Sequence, residues 1–400
     1  MKILYDHQIF IRERYGGVSR YFSALLKNIP FLENTEVSLK VRISQNEYIK
    51  KNNKNNVKYI KQEKSATEKI RLYFINTVKK YSVVKSFYDT VKKYVGKKDS
   101  IIELTRGDFD IFHPTGFDPY FLPYLKNKPY VVTVHDMVHE LYPQYFKYPE
   151  QTSQNKKILL KKANGIIAIS NNTKKDLVSI FNIPPEKIEV VHHGMNIDFT
   201  KQSPVDIPHP YVLFVGGRGG YKNFEFLIRA ITPVLNEKKI HLFCTGSDSF
   251  TAEEVALLKK LRIDKFVIQR RVSDTELAYL YSQAKVFVFP SLYEGFGIPI
   301  LEAFASNCPV LLSDASCFRE IAGNAASYFD IEDPESLKTE FIKLLEDTTY
   351  REKLIQRGKE RLLNFSEEKC ARETLAVYKK VLRVEEISSN ITAPNLHKFI

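Results

Sequence analysis

The sequence predicts an α/β chain built of two doubly wound parallel sheets in tandem. Short apolar runs alternate with helix-length segments along nearly all of the 400 residues, the pattern of repeated βαβ units. A break at Lys201–Pro210 interrupts that alternation, with Pro204, Pro208 and Pro210 in ten residues. At Tyr211-Val-Leu-Phe-Val-Gly216 the pattern restarts with a fresh first strand running into glycines. The length also exceeds the usual span of a single core, which points to two domains.

In the first half, Lys2–Tyr5 reads as the opening strand and Val18–Ile29 as a helix following the Gly16-Gly17 turn. Asp110–His113 and Tyr130–His135 are short apolar strands. Gly165–Ser170 is another, with Asn171-Asn172-Thr173 expected to cap the next helix. Lys187–His192 closes the half. In the second half the strands are Tyr211–Val215, His241–Cys244, Phe266–Ile268 and Val286–Phe289, and Val310–Leu312 is expected to end the set. Ser366–Val384 reads as one final helix. The expected domains are therefore 1–200, carrying a basic insert at 47–98, and 205–365, followed by a helix at 366–386 and a tail at 387–400.

Charge is unevenly spread. Between Glu47 and Lys98 fifteen Lys or Arg face four acids, so this segment carries eleven of the chain's thirteen excess positive charges. Leu72, Phe74, Ile75, Val78, Tyr81, Val84, Phe87, Tyr88 and Val91 recur there at helical steps. Such a basic amphipathic stretch suits either an anionic membrane surface or a helix packed on its own domain. No nucleic-acid motif accompanies it, and no apolar run has the length of a membrane span. The N-terminus turns polar within six residues and reads as a strand, not a signal peptide. Cys244, Cys308, Cys317 and Cys370 lack metal or redox spacing and read as buried fillers in a reducing compartment. The chain is expected in the cytoplasm, with a peripheral position on the inner face of the membrane as a further expectation.

The most specific block is Pro290-Ser-Leu-Tyr-Glu294-Gly-Phe-Gly-Ile-Pro-Ile-Leu-Glu302. An apolar strand runs into a loop where Gly295 and Gly297 permit a turn, and Pro299 suits the first turn of a helix. Backbone N–H groups and the helix dipole at such a place receive sugar oxygens and phosphate. Two carboxylates in this spacing, Glu294 and Glu302, can accept hydrogen bonds from two sets of hydroxyls, such as a hexose and a ribose.

This block resembles the Glu-x7-Glu signature of retaining family-4 glycosyltransferases, which have the GT-B architecture of two facing Rossmann-like domains. The resemblance runs from Gly16-Gly17 through His135-Asp136 and Arg218/Lys222 to Ser366. It implies a nucleotide-diphospho-sugar donor held by the second domain and an acceptor held by the first. Arg218 and Lys222 in Gly216-Gly-Arg-Gly-Gly-Tyr-Lys222 would stabilise the charge that builds on a departing diphosphate. The resemblance further implies donor contacts from the backbone of Gly16 and Gly17, with Arg20 nearby, and from Phe296, Gly297 and Ile298. Val272 would meet the base, although Arg270-Arg271 stands where relatives often have glycine. Asn307 likewise replaces a frequent glycine.

His135-Asp136 ends the strand Val131–Val134 at the sheet edge where doubly wound folds place ligands. The corresponding histidine of the family touches the donor sugar. His113 is held as a packing or acceptor-side residue, and His192-His193 as either cleft-facing or interdomain. Asp108-Phe-Asp110 reads as a strand-entry cap, so no metal site and no cofactor is expected.

The expected activity is transfer of a mannose-like or related hexose to a glycan or lipid-linked acceptor in surface polysaccharide or lipopolysaccharide assembly. The catalytic set would be His135, Asp136, Arg218, Lys222 and Glu294. A nucleotide-sugar epimerase or hydrolase, or a non-catalytic sugar-nucleotide-binding subunit, are the alternatives left open.

Overall fold

The computed structural model describes residues 1–51, 58–59, 82–195, 201–246 and 248–392. Within them, thirteen strands form two parallel systems. The first half contains β1 (Lys2–Tyr5), β2 (Glu36–Leu39), β3 (Lys58–Tyr59), β4 (Ile111–His113), β5 (Val131–Val134), β6 (Gly165–Ala168) and β7 (Ile188–Val190). They pair in the order β3-β2-β1-β4 and β5-β6-β7, and a parallel bridge from Phe112 to Tyr130 joins the two groups. The second half contains β8 (Tyr211–Val215), β9 (His241–Thr245), β10 (Val267–Gln269), β11 (Phe287–Phe289), β12 (Val310–Ser313) and β13 (Ser327–Phe329), ordered β10-β9-β8-β11-β12-β13. In both halves the first strand is central and the order reverses beside it. The strand ends flanking that reversal form the crevice in which such sheets bind ligands.

Near-continuous apolar strands form because helices cover both faces. On β8, Tyr211, Leu213 and Val215 face one core with Ile300, Leu301 and Phe304 of the helix Ile298–Ala305. Val212 and Phe214 face the other core with Leu227, Ile231 and Val234 of the helix Phe224–Lys238. All five strand residues are buried.

The structure corrects the sequence reading in several places. Val310–Leu312 does not end the second sheet, because β13 pairs with β12 as Leu312 against Tyr328. Two strands of the first sheet, β2 and β3, had no counterpart in the sequence reading. Ser170, one residue earlier than expected, caps the helix Asn171–Phe181 by accepting from the Thr173 N–H. The last helix runs Glu367–Thr392, past the expected end at 386.

That last helix packs on the first half. Tyr378 shares hydrogen bonds of 2.7 Å with the Tyr5 hydroxyl and 2.6 Å with His113 Nδ1. Cys370, Ala371, Leu375, Val377 and Val381 complete the core around β1, β5 and β6. All four cysteines are free and buried.

Of the basic segment, the described part includes the helix Ser82–Arg106, while Leu72, Phe74, Ile75, Val78, Tyr81, Lys79 and Lys80 lie outside the described residues. Lys92 does not face solvent: it is buried, bonds Asp89 at 2.7 Å and donates to the Ile11 carbonyl. Lys93, Tyr94, Lys97 and Lys98 are exposed.

Candidate active site

The signature block folds as strand, loop and helix N-terminus. β11 delivers Ser291 to the edge of the sheet, and Gly297, at φ +93°, starts the helix Ile298–Ala305 with Pro299 in its first turn. A side chain at Gly297 would be strained by that backbone and would press on Ile300. The loop is pinned at Glu294. Its N–H donates to Ser316 Oγ at 3.1 Å, and its carboxylate accepts from Ser291 Oγ at 2.7 Å. The same carboxylate oxygen takes Lys222 Nζ at 2.5 Å. Burial works against the Lys222 ammonium, but Glu294 and Tyr221 outweigh it and raise its pKa above the usual value. Lys222 therefore stays charged beside the loop.

Glu302 is buried and paired across the domains. Arg20 Nη1 donates to it at 2.8 Å, and the Tyr281 hydroxyl donates at 3.1 Å. Arg20 lies on the helix Gly17–Asn28 of the first half. Burial opposes its charge, yet Glu302 more than offsets this and raises its pKa. Gly17 is exposed at the start of the same helix, where an added Cβ would lie 3.3 Å from Ile298. Gly16 has extended backbone, and its carbonyl receives the Arg20 N–H.

Arg218 departs from expectation. The sequence reading set it beside Lys222 on a diphosphate, whereas its guanidinium is buried against Glu254 at 2.8 Å and against the Asp248 and Ser249 carbonyls. It also lies over the Phe250 ring at 4.5 Å. Nη1 alone is buried with no partner among the described residues. The Lys222 charge thus sits on the signature loop, and the Arg218 charge is matched by Glu254. Val272 is half-buried against the second half's core, with Arg271 paired to Asp248.

His135 stands at the carboxyl end of β5 among Tyr21, Phe22 and His193, with ring centroids 5.0 to 5.9 Å away. Both of its ring nitrogens are buried and have no partner among the described residues. Burial first, then the charges of His113, Arg12 and Lys156, push its pKa down to about 3, so the ring is neutral. Asp136 accepts the Val138 N–H at 3.2 Å, and its carbonyl receives Lys156 Nζ. His113 is a packing residue: it is fully buried and bonded to Tyr378 and Thr133.

Several contacts draw the two sheets' edges together. A Cβ at Gly295 would lie 1.7 Å from the His135 carbonyl oxygen, so the signature loop and the end of β5 touch through backbone. Tyr293, next to Glu294, receives the Met137 N–H and donates to Asp176 at 2.7 Å. Glu320 accepts from the Asn171 N–H and side-chain amide, the Asn172 N–H, and His192 Nε2 at 2.7 Å. Burial pushes the Glu320 carboxyl up, but these donors outweigh it and hold it below the usual range. His192 is therefore an interdomain residue. His193 packs 5.0 Å from Phe296, itself buried against Phe365.

The structure thus gathers Gly17, Arg20, His135, Asp136, Lys222, Glu294, Gly295, Phe296, Gly297, Ile298 and Glu302 around one interdomain crevice. It leaves Arg218 and Val272 engaged elsewhere in the second half. Sequence reasoning missed Tyr281, Ser291, Tyr293, Ser316 and Glu320. Tyr293 lay inside the quoted motif, whereas Glu320 carried no local signal. Among the described residues, no group of three His, Cys, Asp or Glu side chains is placed to hold a metal ion, and no helix is long and apolar enough to cross a membrane.

Residues 197–361 match the family described as Glycosyl transferases group 1, and residues 65–199 match Glycosyltransferase Family 4. The chain is 27% identical over 288 residues to O-antigen chain mannosyltransferase B of Escherichia coli, covering 67% of this chain and 74% of that protein. It is 31% identical over 217 residues to O-antigen chain mannosyltransferase RfbU of Salmonella typhimurium, covering 54% of this chain and 60% of that one. In fold it is similar to Anabaena HepE, solved with UDP and glucose, with a TM-score of 0.69 at 13% identity over 94% of this chain and 99% of that one.

Proposed function

The chain belongs to the group 1, family-4 glycosyltransferases and is a hexosyltransferase of polysaccharide synthesis; from that premise we propose that it moves a mannose-like hexose, with retention, from a nucleotide-diphospho-sugar to a glycan or lipid-linked glycan. The observation that carries this reading is the pairing of both signature carboxylates with cations, Lys222 of the same half with Glu294 and Arg20 of the facing half with Glu302.

In the proposed reaction the donor's diphosphate draws Lys222 to itself, which leaves Glu294 to accept hydrogen bonds from the sugar hydroxyls. Glu302 receives the ribose hydroxyls in exchange for Arg20. His135, neutral and with both nitrogens unpaired, offers the sugar a donor and an acceptor. The bond from the anomeric carbon to the phosphate oxygen breaks, and the acceptor oxygen bonds on the same face. The departing phosphate oxygen takes the acceptor's proton, and Lys222 stabilises the diphosphate charge. Asp136 holds the end of β5 by its bond to the Val138 N–H. No cofactor or metal enters this scheme.

Incubation with a panel of sugar nucleotides tests the reading. Nucleotide release that requires acceptor and survives a chelator is the expected result. Release with water alone, or an isomerised donor, would instead reveal a hydrolase or an epimerase.

We further propose that the enzyme works at the cytoplasmic face of a membrane, held by the lysine-rich segment 47–98. The full chain should bind vesicles rich in anionic lipid and dissociate as salt rises. Lys79→Gln, Lys80→Gln and Lys93→Gln together should weaken that binding and spare donor binding. Indifference to such vesicles at low salt would end this part of the proposal.

A further inference from the structure

Tyr293 belongs to the signature loop of the second half, yet its ring is built into the core of the first. It is buried in the cluster that holds Met137, Val138 and Leu177, and its ring centroid lies 6.2 Å from that of Tyr142. Its hydroxyl has two partners, and both come from the first half. It accepts the Met137 N–H at 3.2 Å and donates to Asp176 Oδ2 at 2.7 Å. Burial first, then the nearby Asp176 charge, raise its pKa, so the hydroxyl keeps the proton it donates. A buried phenol needs a polar partner, and this one is satisfied both as donor and as acceptor.

The partners stand at places that matter to the crevice. Met137 follows His135-Asp136 at the end of β5, Asp176 lies on the helix Asn171–Phe181, and Tyr293 immediately precedes Glu294. Asp176 Oδ2 also accepts from Asn172 Nδ2 at 3.0 Å on its own helix. The start of that helix is in turn held by Glu320 of the second half, which accepts the Asn171 and Asn172 N–H groups.

The backbone contact between Gly295 and His135 spans the same gap, but it acts differently. It limits how closely the loop and β5 can approach, and a steric stop sets no direction. Hydrogen bonds weaken steeply as they bend, so two of them on one hydroxyl fix where the loop lies along the strand end. The phenol is a rigid strut with only two side-chain torsions. What holds its tip therefore holds the backbone at Glu294.

We infer that Tyr293 and Asp176 are positioning residues for the transfer: Asp176 orients the Tyr293 hydroxyl, and Tyr293 sets Glu294 in register with His135 across the crevice. The inference rests on the assignment of Glu294 and His135 to the donor sugar. Both residues act by placing the carboxylate that meets the sugar.

The contact is tested first without substrate. Amide exchange at Met137 should quicken about tenfold or more in Tyr293→Phe, which keeps the ring and removes only the hydroxyl. Protection equal to wild type would overturn the inference.

Turnover is then measured with the donor and acceptor that the wild type uses. Tyr293→Phe and Asp176→Ala should each lower kcat about tenfold, with the donor's KM within about twofold of wild type, because placement and not binding is lost. Both remove one shared contact, so the double variant should be no slower than either single, within about twofold. Asp176→Asn keeps an oxygen that accepts from the hydroxyl and should restore kcat to within about threefold of wild type.

A packing role alone would lower the melting temperature and leave kcat normal, and that result would overturn the inference. So would a double variant about a hundredfold down, the product of two independent losses, or an Asp176→Asn as slow as Asp176→Ala. A raised KM with unchanged kcat would overturn it as well. Failure of the underlying assignment has its own sign: Glu294→Gln would turn over normally and take the inference with it. An impaired Glu294→Gln beside a normal Tyr293→Phe would overturn the inference alone.

Discussion

Lys222→Ala should lower kcat by about two to three orders of magnitude and leave the fold nearly as stable as before. Removing one preorganised electrostatic contact to a developing anion costs that much in other enzymes. The effect is large because Lys222 is held charged beside the loop by Glu294 and Tyr221. It should appear mostly in kcat, since diphosphate charge grows as the bond breaks. Stability changes little because the pair is partly solvated, with side-chain exposures of 20% and 14%, and Glu294 keeps its bond to Ser291. Single-turnover transfer and a thermal melt measure the two quantities. Near-normal turnover would place the diphosphate elsewhere.

Gly295→Ala should cost at least about a hundredfold in turnover, for a steric reason. The added methyl would sit 1.7 Å from the His135 carbonyl oxygen and 2.8 Å from its carbon. Both are backbone atoms at the end of β5, so no rotamer change relieves the clash. The signature loop and β5 must separate by more than 1 Å to restore ordinary contact, and a misplacement of that size can cost about a hundredfold. Nucleotide affinity should fall much less, because the donor-side residues lie mainly within the second half. Calorimetry with the nucleotide and steady-state kinetics distinguish the two effects. Full activity in this variant would show that the observed contact is not the reactive arrangement.

The architecture and the signature block were legible because their signals are local. A parallel sheet buried on both faces writes itself as short apolar runs, and a strand-loop-helix needs glycine and proline at fixed places. Asn307 shows the same logic: the chain there is at φ +56°, a conformation asparagine tolerates better than most residues. β13 escaped because Ser-Tyr-Phe is too short to show a period and is defined by its pairing to β12.

Partnerships across long separations were equally hidden. Nothing near Arg218 announces that Glu254 will take its charge, and Glu320 meets Asn171 and His192 only once both halves are folded. Arg20 was named beside the glycines, but its bond to Glu302 spans 282 positions. The basic helix was legible in composition and not in orientation: Lys92 turns inward while Lys93, its neighbour, turns out.

Tyr378, wedged between Tyr5 and His113, has a bearing on how the protein is made. The first half lacks part of its core until the helix Glu367–Thr392 arrives, whereas the second sheet is complete by Phe329 and its covering helices by Leu362. On the ribosome, where folding usually proceeds from the leading end, the order of completion is therefore inverted. The portion synthesised first waits, its apolar surface uncovered, for the portion synthesised last.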